Sequence, residues 1–251
     1  MAAFIIARKE LKILFGSPLA WVVLALVQWV LTAVFLAHLD TFLQIQPQLI
    51  RIANPPGVTE AVIAPLFAMA AIVLLMITPL LTARLIAEER RNHTLPFLVS
   101  APVSITEIVL GKFLGLMIFL SAVIALVVAL SISLLAGGSL DFGLLLSNIA
   151  GLLLISACFA SLGLYISCLS AQPAIAGAGA LGVLLGLWVI DNATNATNEE
   201  DSVMHAFSLL AHFESFNRGM IDTFDLAYFA LFILFFLALS VRWLDGERLR
   251  G

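Results

Sequence analysis

The sequence predicts an all-α integral membrane protein with six transmembrane helices preceded by an amphipathic interfacial helix. Three observations lead to this prediction. The 251 residues are 62% hydrophobic and 11% charged, whereas soluble domains have roughly 45–50% apolar and about 25% charged residues. Six apolar segments are long enough to cross a bilayer, and 10 of the 12 Lys and Arg residues fall on one side of them. We expect one membrane domain over residues 1–251, with no separate soluble module.

The first element is a basic amphipathic helix over residues 2–15. Its apolar residues recur at spacings of three and four: Phe4, Ala7, Leu11 and Leu14. Its basic residues point away from them: Arg8, Lys9 and Lys12. This pattern is typical of a helix that lies in the headgroup layer. The alternative is a cytoplasmic extension of the first span. Gly16-Ser17-Pro18 favours the interfacial helix, because these residues break a helix where it must turn into the membrane.

Six spans follow, with predicted bounds of 19–39, 62–83, 113–136, 144–168, 173–190 and 226–244. A signal peptide is an alternative for the first, but that segment is too long and no small-residue cleavage site follows it. Cys158 and Cys168 lie in apolar surroundings, and we interpret them as small buried hydrophobic residues.

The basic residues predict the orientation, because cytoplasmic loops carry an excess of Lys and Arg. Arg51 and Arg218 lie on one side of the predicted spans. The other ten lie opposite: Arg8, Lys9, Lys12, Arg84, Arg90, Arg91, Lys112, Arg242, Arg248 and Arg250. These positions therefore predict that both termini lie in the cytoplasm.

The predicted spans carry no Asp, Glu, Lys or Arg well inside them. A charge at the bilayer centre costs roughly 3 kcal/mol on insertion scales, so such residues mark function. Their lack argues against an ion-coupled transporter, an intramembrane metalloprotease and a lipid-headgroup transferase. Gly111-Lys112 is not a phosphate-binding loop, because it lacks the leading Gly and the following Ser or Thr. We therefore expect no enzymatic activity and no cofactor in this chain; any energy for transport must come from another subunit.

The longest organised surface on the basic side is the connector between the second and third spans, at about residues 88–107. We expect the second helix to continue to about Arg91, and a short helix to follow a possible cap at Thr94. Ser104 and Glu107 have the spacing of a capping box, so the next helix begins in the cytoplasm. The connector carries apolar residues, namely Leu95, Phe97, Leu98 and Val99. They indicate a surface for a partner, or, as the alternative, a segment folded back on the membrane interface.

Residues 79–112 closely resemble the corresponding stretch of ATP-binding-cassette exporter permeases of the second class (ABC-2), in particular the gliding-motility permease group. The matching residues include Pro79, Leu81, Thr82, Arg84, Leu85, Ala87, Glu88, Glu89, Arg90, Arg91, Thr94, Leu95, Leu98, Ala101, Pro102, Val103, Ser104, Glu107, Ile108, Val109, Gly111 and Lys112. Similar flanks occur at residues 7–11, 17–19 and 216–222, so the resemblance extends along the whole chain.

The resemblance implies a six-span permease of the type V exporter kind, located in a bacterial inner membrane, with an elbow helix at its start. Two permease subunits pair, and each docks an ATPase subunit, which binds ATP and Mg²⁺, through a coupling helix at about residues 92–101. The implied docking residues are Arg90, Arg91, His93, Thr94, Leu95, Phe97, Leu98 and Val99, supported by Arg84, Glu88, Glu89, Pro102, Ser104, Glu107 and Lys112. The chain departs from the family pattern at His93, where Gly is usual, and at Pro96-Phe97, where Glu-Leu is usual.

Two further segments carry candidate residues. Gly182 and Gly186 form a G-x-x-x-G pattern in the fifth span, which allows close helix packing in lipid; the surface is either a subunit interface or pore lining, or it packs within the chain. The outer segment at about 192–224 has the spacing of an amphipathic or re-entrant helix, with Phe207, Phe213 and Phe216 as a candidate outer gate. His205 and His212 alone make a poor metal site.

We predict the permease subunit of an ATP-driven exporter. The alternative is a mechanotransmission or scaffold subunit that acts on periplasmic or cell-surface machinery without moving a substrate. The expected partners are two ATPase subunits, a second permease subunit (a copy of this chain or a related one), an accessory protein with a periplasmic domain, and the lipid bilayer. We expect no nucleic-acid partner. The apolar spans do not identify the cargo.

Overall fold

A computed structural model describes residues 2–49, 57–95, 103–136, 140–197 and 208–248. These ranges contain nine α-helices and no strand. The helices are α1 (Ala2–Gly16), α2 (Pro18–Leu49), α3 (Ala64–Thr82), α4 (Ala87–Arg91), α5 (Ile105–Ser133), α6 (Phe142–Leu169), α7 (Pro173–Thr197), α8 (Leu209–Asn217) and α9 (Thr223–Arg248). A π-helical turn, Thr59–Ile63, precedes α3, and a 3₁₀ turn, Leu134–Ala136, follows α5.

Within these ranges, five helical segments are long and apolar enough to cross a membrane. They are Pro18–Gln48, Thr59–Arg91, Ile105–Ala136, Phe142–Leu169 and Thr223–Arg248. The apolar part of α7, Pro173–Val189, is shorter, so the number of six spans stays a prediction. The helices extend beyond several predicted bounds because polar residues continue them past the apolar segments, as in α2.

The helices α3 and α6 form the centre of the bundle. In their most apolar windows, 56% and 67% of the residues are buried, against 22% in α2 and in α9. The outer helices expose large apolar side chains instead, for example Trp29 and Leu231. In a membrane protein this is the expected arrangement, because lipid solvates the outward faces.

The N-terminal helix α1 lies against the start of α5. Ser17 separates the end of α1 from the start of α2, as the Gly-Ser-Pro sequence predicts. A Cβ atom added at Gly115 would lie 2.9 Å from the Cβ of Glu10, and the helices approach equally closely at Gly111. The buried side of α1 carries Ala7 and Glu10, whereas Phe4 is 76% exposed. The helix therefore has one face on the bundle and a separate apolar edge that faces outward.

The second apolar helix is interrupted, and this corrects the prediction of a helix running unbroken to about Arg91. α3 ends at Thr82, residues 83–86 form a turn, and α4 covers only five residues. The carbonyl of Pro79 accepts from both the Ala83 N–H (2.9 Å) and the Thr82 hydroxyl (3.2 Å). The Leu85 N–H then bonds to the Thr82 carbonyl, three residues back, which tightens the chain and takes the acceptor that Ile86 would use.

Candidate functional site at the basic end of the bundle

A buried lysine joins three helices at the basic end. Lys112, in the second turn of α5, is 1% exposed. Its Nζ donates to Glu10 Oε1 of α1 at 2.8 Å and to Glu89 Oε1 of α4 at 2.9 Å. Lys9 Nζ lies 3.9 Å from the same Glu89 oxygen. Because a buried charge is tolerated only when it is paired and hydrogen-bonded, these contacts fix the relative positions of α1, α4 and α5.

A second ion pair joins α4 to the end of the last helix. Arg90 Nη2 lies 2.8 Å and 2.7 Å from the two carboxylate oxygens of Glu247 on α9. The side chain of Arg90 is 21% exposed and that of Glu247 is 39% exposed. Contact with both oxygens restrains the arginine more than a single exposed contact does. Thus two adjacent residues of α4 hold different helices, Glu89 facing α1 and α5 and Arg90 facing α9.

A serine from α6 completes the hydrogen bonds that the interruption leaves open. Ser167 Oγ accepts from the backbone N–H groups of Ile86 and Ala87, each at 3.1 Å, and donates to the Ala83 carbonyl at 3.3 Å. All three bonds are buried. Buried backbone groups need such partners. One hydroxyl therefore replaces missing helical bonds on both sides of the turn and attaches it to α6.

Small residues allow α6 and α7 to approach the interruption. An added Cβ atom at Gly163 of α6 would collide with the side chain of Thr82. On the other side, Ala83, Ala87 and Ala176 of α7 form a small buried apolar cluster. Larger side chains at these positions would push the α6–α7 hairpin away, so the sequence permits the contact that Ser167 makes.

The chain leaves α4 through a left-handed residue. His93 has φ = 55°, the Thr94 N–H bonds to the Glu89 carbonyl (2.9 Å), and the His93 N–H bonds to the Arg90 carbonyl (3.1 Å). This is the Schellman arrangement, in which Gly is the favoured residue at the left-handed position. The histidine of this chain adopts the same turn at a steric cost.

The start of α5 has the predicted capping box. Ser104 Oγ accepts from the Glu107 N–H (3.2 Å), and Glu107 Oε2 accepts from the Ser104 N–H (3.4 Å). Both residues satisfy N–H groups that a helix leaves open at its first turn. The prediction of a capping box at the start of this helix is therefore confirmed.

The structure brings some predicted residues together and leaves others apart. Glu89, Arg90 and Lys112 belong to the ion-pair network, and Ser104 and Glu107 to the cap. Arg84, Glu88, Arg91, His93 and Thr94 are exposed, and Leu95 is half-buried. Phe97, Leu98, Val99 and Pro102 lie outside the described residues.

The sequence reasoning missed three residues of this site: Glu10, Glu247 and Ser167. Each meets its partner across at least 80 residues of chain. One signal was present for Glu10. It is an acidic residue among the basic ones of α1, and Lys112 needs a counter-charge beside a long apolar segment. Nothing in the sequence points to Ser167, because serine is common in membrane helices.

At the opposite end of the bundle, contacts with α6 and α9 hold α8 in place. His212 Nδ1 lies 2.6 Å from Asp225 Oδ1 of α9. Ser147 Oγ of α6 donates to the Phe216 carbonyl at 2.8 Å. Phe213 and Phe216 are 3% and 0% exposed, and both contact Gly151 of α6. They anchor α8 in this chain; their role as an outer gate stays a prediction, and Phe207 lies outside the described residues.

Two glycines of α7, Gly182 and Gly186, do not pack against the described part of the chain. An added Cβ atom at Gly182 or at Gly186 would meet no atom within 4 Å, whereas one at Gly177 would lie 3.2 Å from Ala83. Close packing within the described chain therefore explains Gly177 but not the G-x-x-x-G pair.

Comparison with known proteins identifies the family. The model of the family described as ABC-2 family transporter protein matches residues 4–244. The comparison with curated proteins gives no match. The match includes Glu10, Glu89, Arg90, Lys112 and Ser167 of the site and ends three residues before Glu247. The chain is therefore a multi-pass membrane protein that belongs to the ABC-2 transporter family, the permease component of transporters that associate with ABC ATPase subunits.

Proposed function

We propose that this chain is the permease subunit of an ATP-driven exporter and that the connector at about residues 88–107 receives the movement of a separate ATPase. The network around α4 is the observation that carries the proposal. Within the five residues of α4, the Ala87 N–H bonds to the α6 serine, Glu89 accepts from Lys112 of α5 and Arg90 pairs with Glu247 of α9. Lys112 in turn connects this segment to Glu10 of α1. A displacement of the connector would therefore reach several spans at once. The export direction and the gliding-motility subgroup follow from the resemblance alone.

The proposed topology has six spans, a flat elbow helix α1 and both termini in the cytoplasm of a bacterium. The cluster of ionic groups supports this orientation, because α1, α4, the start of α5 and the end of α9 meet at one end. Lys and Arg are concentrated in cytoplasmic segments of membrane proteins. α7, whose apolar part is shorter, spans as the fifth helix.

We further propose that two permease subunits pair through the exposed face of α7. Gly182 and Gly186 lie on that face with open space beside them, and Val183 and Val189 are about half exposed. Glycines four residues apart let two helices approach closely in lipid. The pair consists of two copies of this chain or of this chain and a related permease.

Co-purification tests the docking proposal. The chain is co-expressed with its candidate ATPase and purified through a tag on the permease. Replacement of Leu95, Phe97 and Leu98 by Asp is expected to abolish capture of the ATPase without preventing membrane insertion. The matched control replaces Met220 and Ile221, exposed at the opposite end, by Asp and retains the ATPase. Retained capture by the connector variant, with normal insertion, would place the docking surface elsewhere.

Cysteine labelling in whole cells tests the orientation. Cys158 and Cys168, both buried, are first replaced by Ala so that labelling reports on one introduced thiol. A single cysteine then replaces Arg91 or Met220. A membrane-impermeant maleimide is expected to label Met220→Cys in intact cells and Arg91→Cys only after permeabilisation. The reverse pattern would contradict the proposed topology.

A further inference from the structure

A cavity of about 680 Å³ lies beside the ion-pair network, between α1, the start of α2 and the interruption after α3. Small-molecule sites typically have volumes of about 300–1,000 Å³. Its lining combines apolar side chains from α1, α2 and α3 with charged side chains from α1, α4, α5 and the turn at residues 83–86. Such a surface fits an amphiphile.

The apolar wall continues outward from the bundle. Ile13 of α1 and Leu80 of α3 line the cavity and are 54% and 48% exposed. Leu81 and Leu85, also in the lining, are almost fully buried. An acyl chain lying against Ile13 and Leu80 would cover apolar surface that packing within the described chain leaves exposed.

Two cations of the lining are available to a phosphate. Lys9 is exposed, and its only ionic contact among the described residues is the 3.9 Å approach to Glu89. Arg84 is exposed and forms no ion pair within the described ranges. A guanidinium group matches phosphate oxygens with two parallel hydrogen bonds, and a lysine adds a point charge.

The same cavity also offers carboxylate oxygens. Glu88 is exposed in its lining. Lys112 occupies Oε1 of Glu89, but Glu89 Oε2 is buried and accepts no hydrogen bond from the part of the chain that the structure describes. The carboxylate of Glu88 and the 17% exposed side chain of Glu89 can accept from a primary ammonium group in the cavity.

The charges of the lining balance. Its three cations are Lys9, Arg84 and Lys112, and its three carboxylates are Glu10, Glu88 and Glu89. An anionic lipid would leave the carboxylates of the lining without a cationic partner. A simple cation would leave the arginine without an anionic one. A zwitterion with a phosphate and an ammonium group satisfies both sets.

We propose that this cavity binds one zwitterionic aminophospholipid, of the phosphatidylethanolamine type, from the cytoplasmic leaflet. Its phosphate contacts Arg84 and Lys9, its ammonium group donates to Glu88 and Glu89, and an acyl chain covers Ile13 and Leu80. The choice of leaflet rests on the proposed function, which places this end of the bundle at the cytoplasm. Phosphatidylcholine carries the same charges but has no ammonium N–H to donate, and phosphatidylglycerol has no cation.

Native mass spectrometry of the full chain tests the proposal. Delipidated protein in detergent is titrated with phosphatidylethanolamine, phosphatidylcholine and phosphatidylglycerol of identical acyl chains. We expect phosphatidylethanolamine to bind most tightly. Because a hydrogen bond to a charged group contributes about 1.5–3 kcal/mol and 1.4 kcal/mol is tenfold in affinity, Arg84→Gln is expected to weaken its binding about tenfold or more. Glu88→Gln is expected to reduce the preference over phosphatidylcholine. Arg91→Gln, exposed outside the cavity, serves as the control and binds like the natural chain.

Further arms of the experiment distinguish a lipid phosphate from free phosphate, and the lipid proposal from the ATPase-docking proposal. Inorganic phosphate and soluble glycerophosphoethanolamine, at the lipid's concentration, are expected not to displace the lipid, because they lack the acyl chain. Equal binding of the three lipids, unchanged binding by Arg84→Gln, or displacement by free phosphate overturns the proposal. ATPase capture is measured separately. Capture without lipid selectivity refutes the lipid site alone, and lipid selectivity without capture refutes the docking proposal alone.

Discussion

Replacement of Lys112 by Met is expected to destabilise the protein strongly, because it leaves two carboxylates beside an apolar side chain. The lysine Nζ lies 2.8 Å from Glu10 and 2.9 Å from Glu89. At an effective dielectric constant of about 20, each attraction amounts to roughly 6 kcal/mol before the cost of desolvation is subtracted. Removing one partner of a buried ion pair typically costs about 3–5 kcal/mol, because an uncompensated charge remains.

The exposure of the three side chains refines this magnitude. Lys112 is 1% exposed and the Glu10 side chain 9%, whereas that of Glu89 is 17% exposed and keeps Lys9 at 3.9 Å. Loss of the lysine charge therefore destabilises the Glu10 carboxylate more than the Glu89 carboxylate. The double variant Lys112→Met with Glu10→Gln is expected to recover part of the loss, since it removes the more buried charge.

Reactivity of the buried cysteines provides the assay. Cys158 and Cys168 are free and buried, so a thiol-reactive fluorescent dye reports thermal unfolding of the purified chain. About 2–4 °C per kcal/mol is typical for a protein of 150–250 residues, so Lys112→Met is expected to lower Tm by about 10 °C. Lys12→Met, an exposed lysine on α1, is the matched control. Equal Tm values for the two variants, or a double variant less stable than Lys112→Met, would refute the reasoning.

Three further predictions concern the interruption, the turn after α4 and the α7 face. Ser167→Ala leaves two buried N–H groups and one carbonyl without their hydrogen-bond partner, so it is expected to cost about 2 kcal/mol or more. In the control Ser161→Ala, the lost hydroxyl donates to the Cys158 carbonyl of its own helix, and Tm should change little. Equal shifts in Tm would contradict this. His93→Gly should be neutral or stabilising by up to about 1 kcal/mol and His93→Val destabilising, because φ = 55° suits Gly and strains a β-branched residue; equal thermal stability of the two would contradict the left-handed turn. Gly186→Cys is expected to form a disulfide between two copies in membranes if the pair is homomeric, whereas Leu184→Cys, buried within the chain, should not; crosslinking at Leu184 alone would place the interface elsewhere.

The sequence predicts local features of the fold well because their causes are local. Gly16-Ser17-Pro18 separates α1 from α2 in the structure, since these three residues disfavour a continuous helix whatever surrounds them. The capping box at Ser104 and Glu107 has the same character. Apolar length alone likewise places a helix over each predicted span, although it does not decide whether the 17 apolar residues of α7 cross the membrane.

The parts that escaped prediction depend on contacts between distant residues. Pro79 occurs inside α3 and does not end it; the helix ends at Thr82, where carbonyl competition and the Ser167 hydroxyl combine. Ser167 is 80 residues further along the chain, so no local pattern contains it. For Lys112 the sequence indicates that a counter-charge is needed. Periodicity shows which side of α1 Glu10 occupies, but not which helix covers that side.

The interruption divides the second apolar helix into two parts with different attachments. α3 lies in the core of the bundle, with more than half of its apolar window buried. α4 is attached to other helices instead, because Glu89 pairs with Lys112 of α5 and Arg90 pairs with Glu247 of α9. The turn at residues 83–86 keeps its hydrogen bonds through a side chain, so its backbone is not fixed by a continuous helical ladder. We therefore expect a movement of the connector to displace α4 together with α1, α5 and α9, with this turn as the hinge, while α3 and α6 keep their positions in the core.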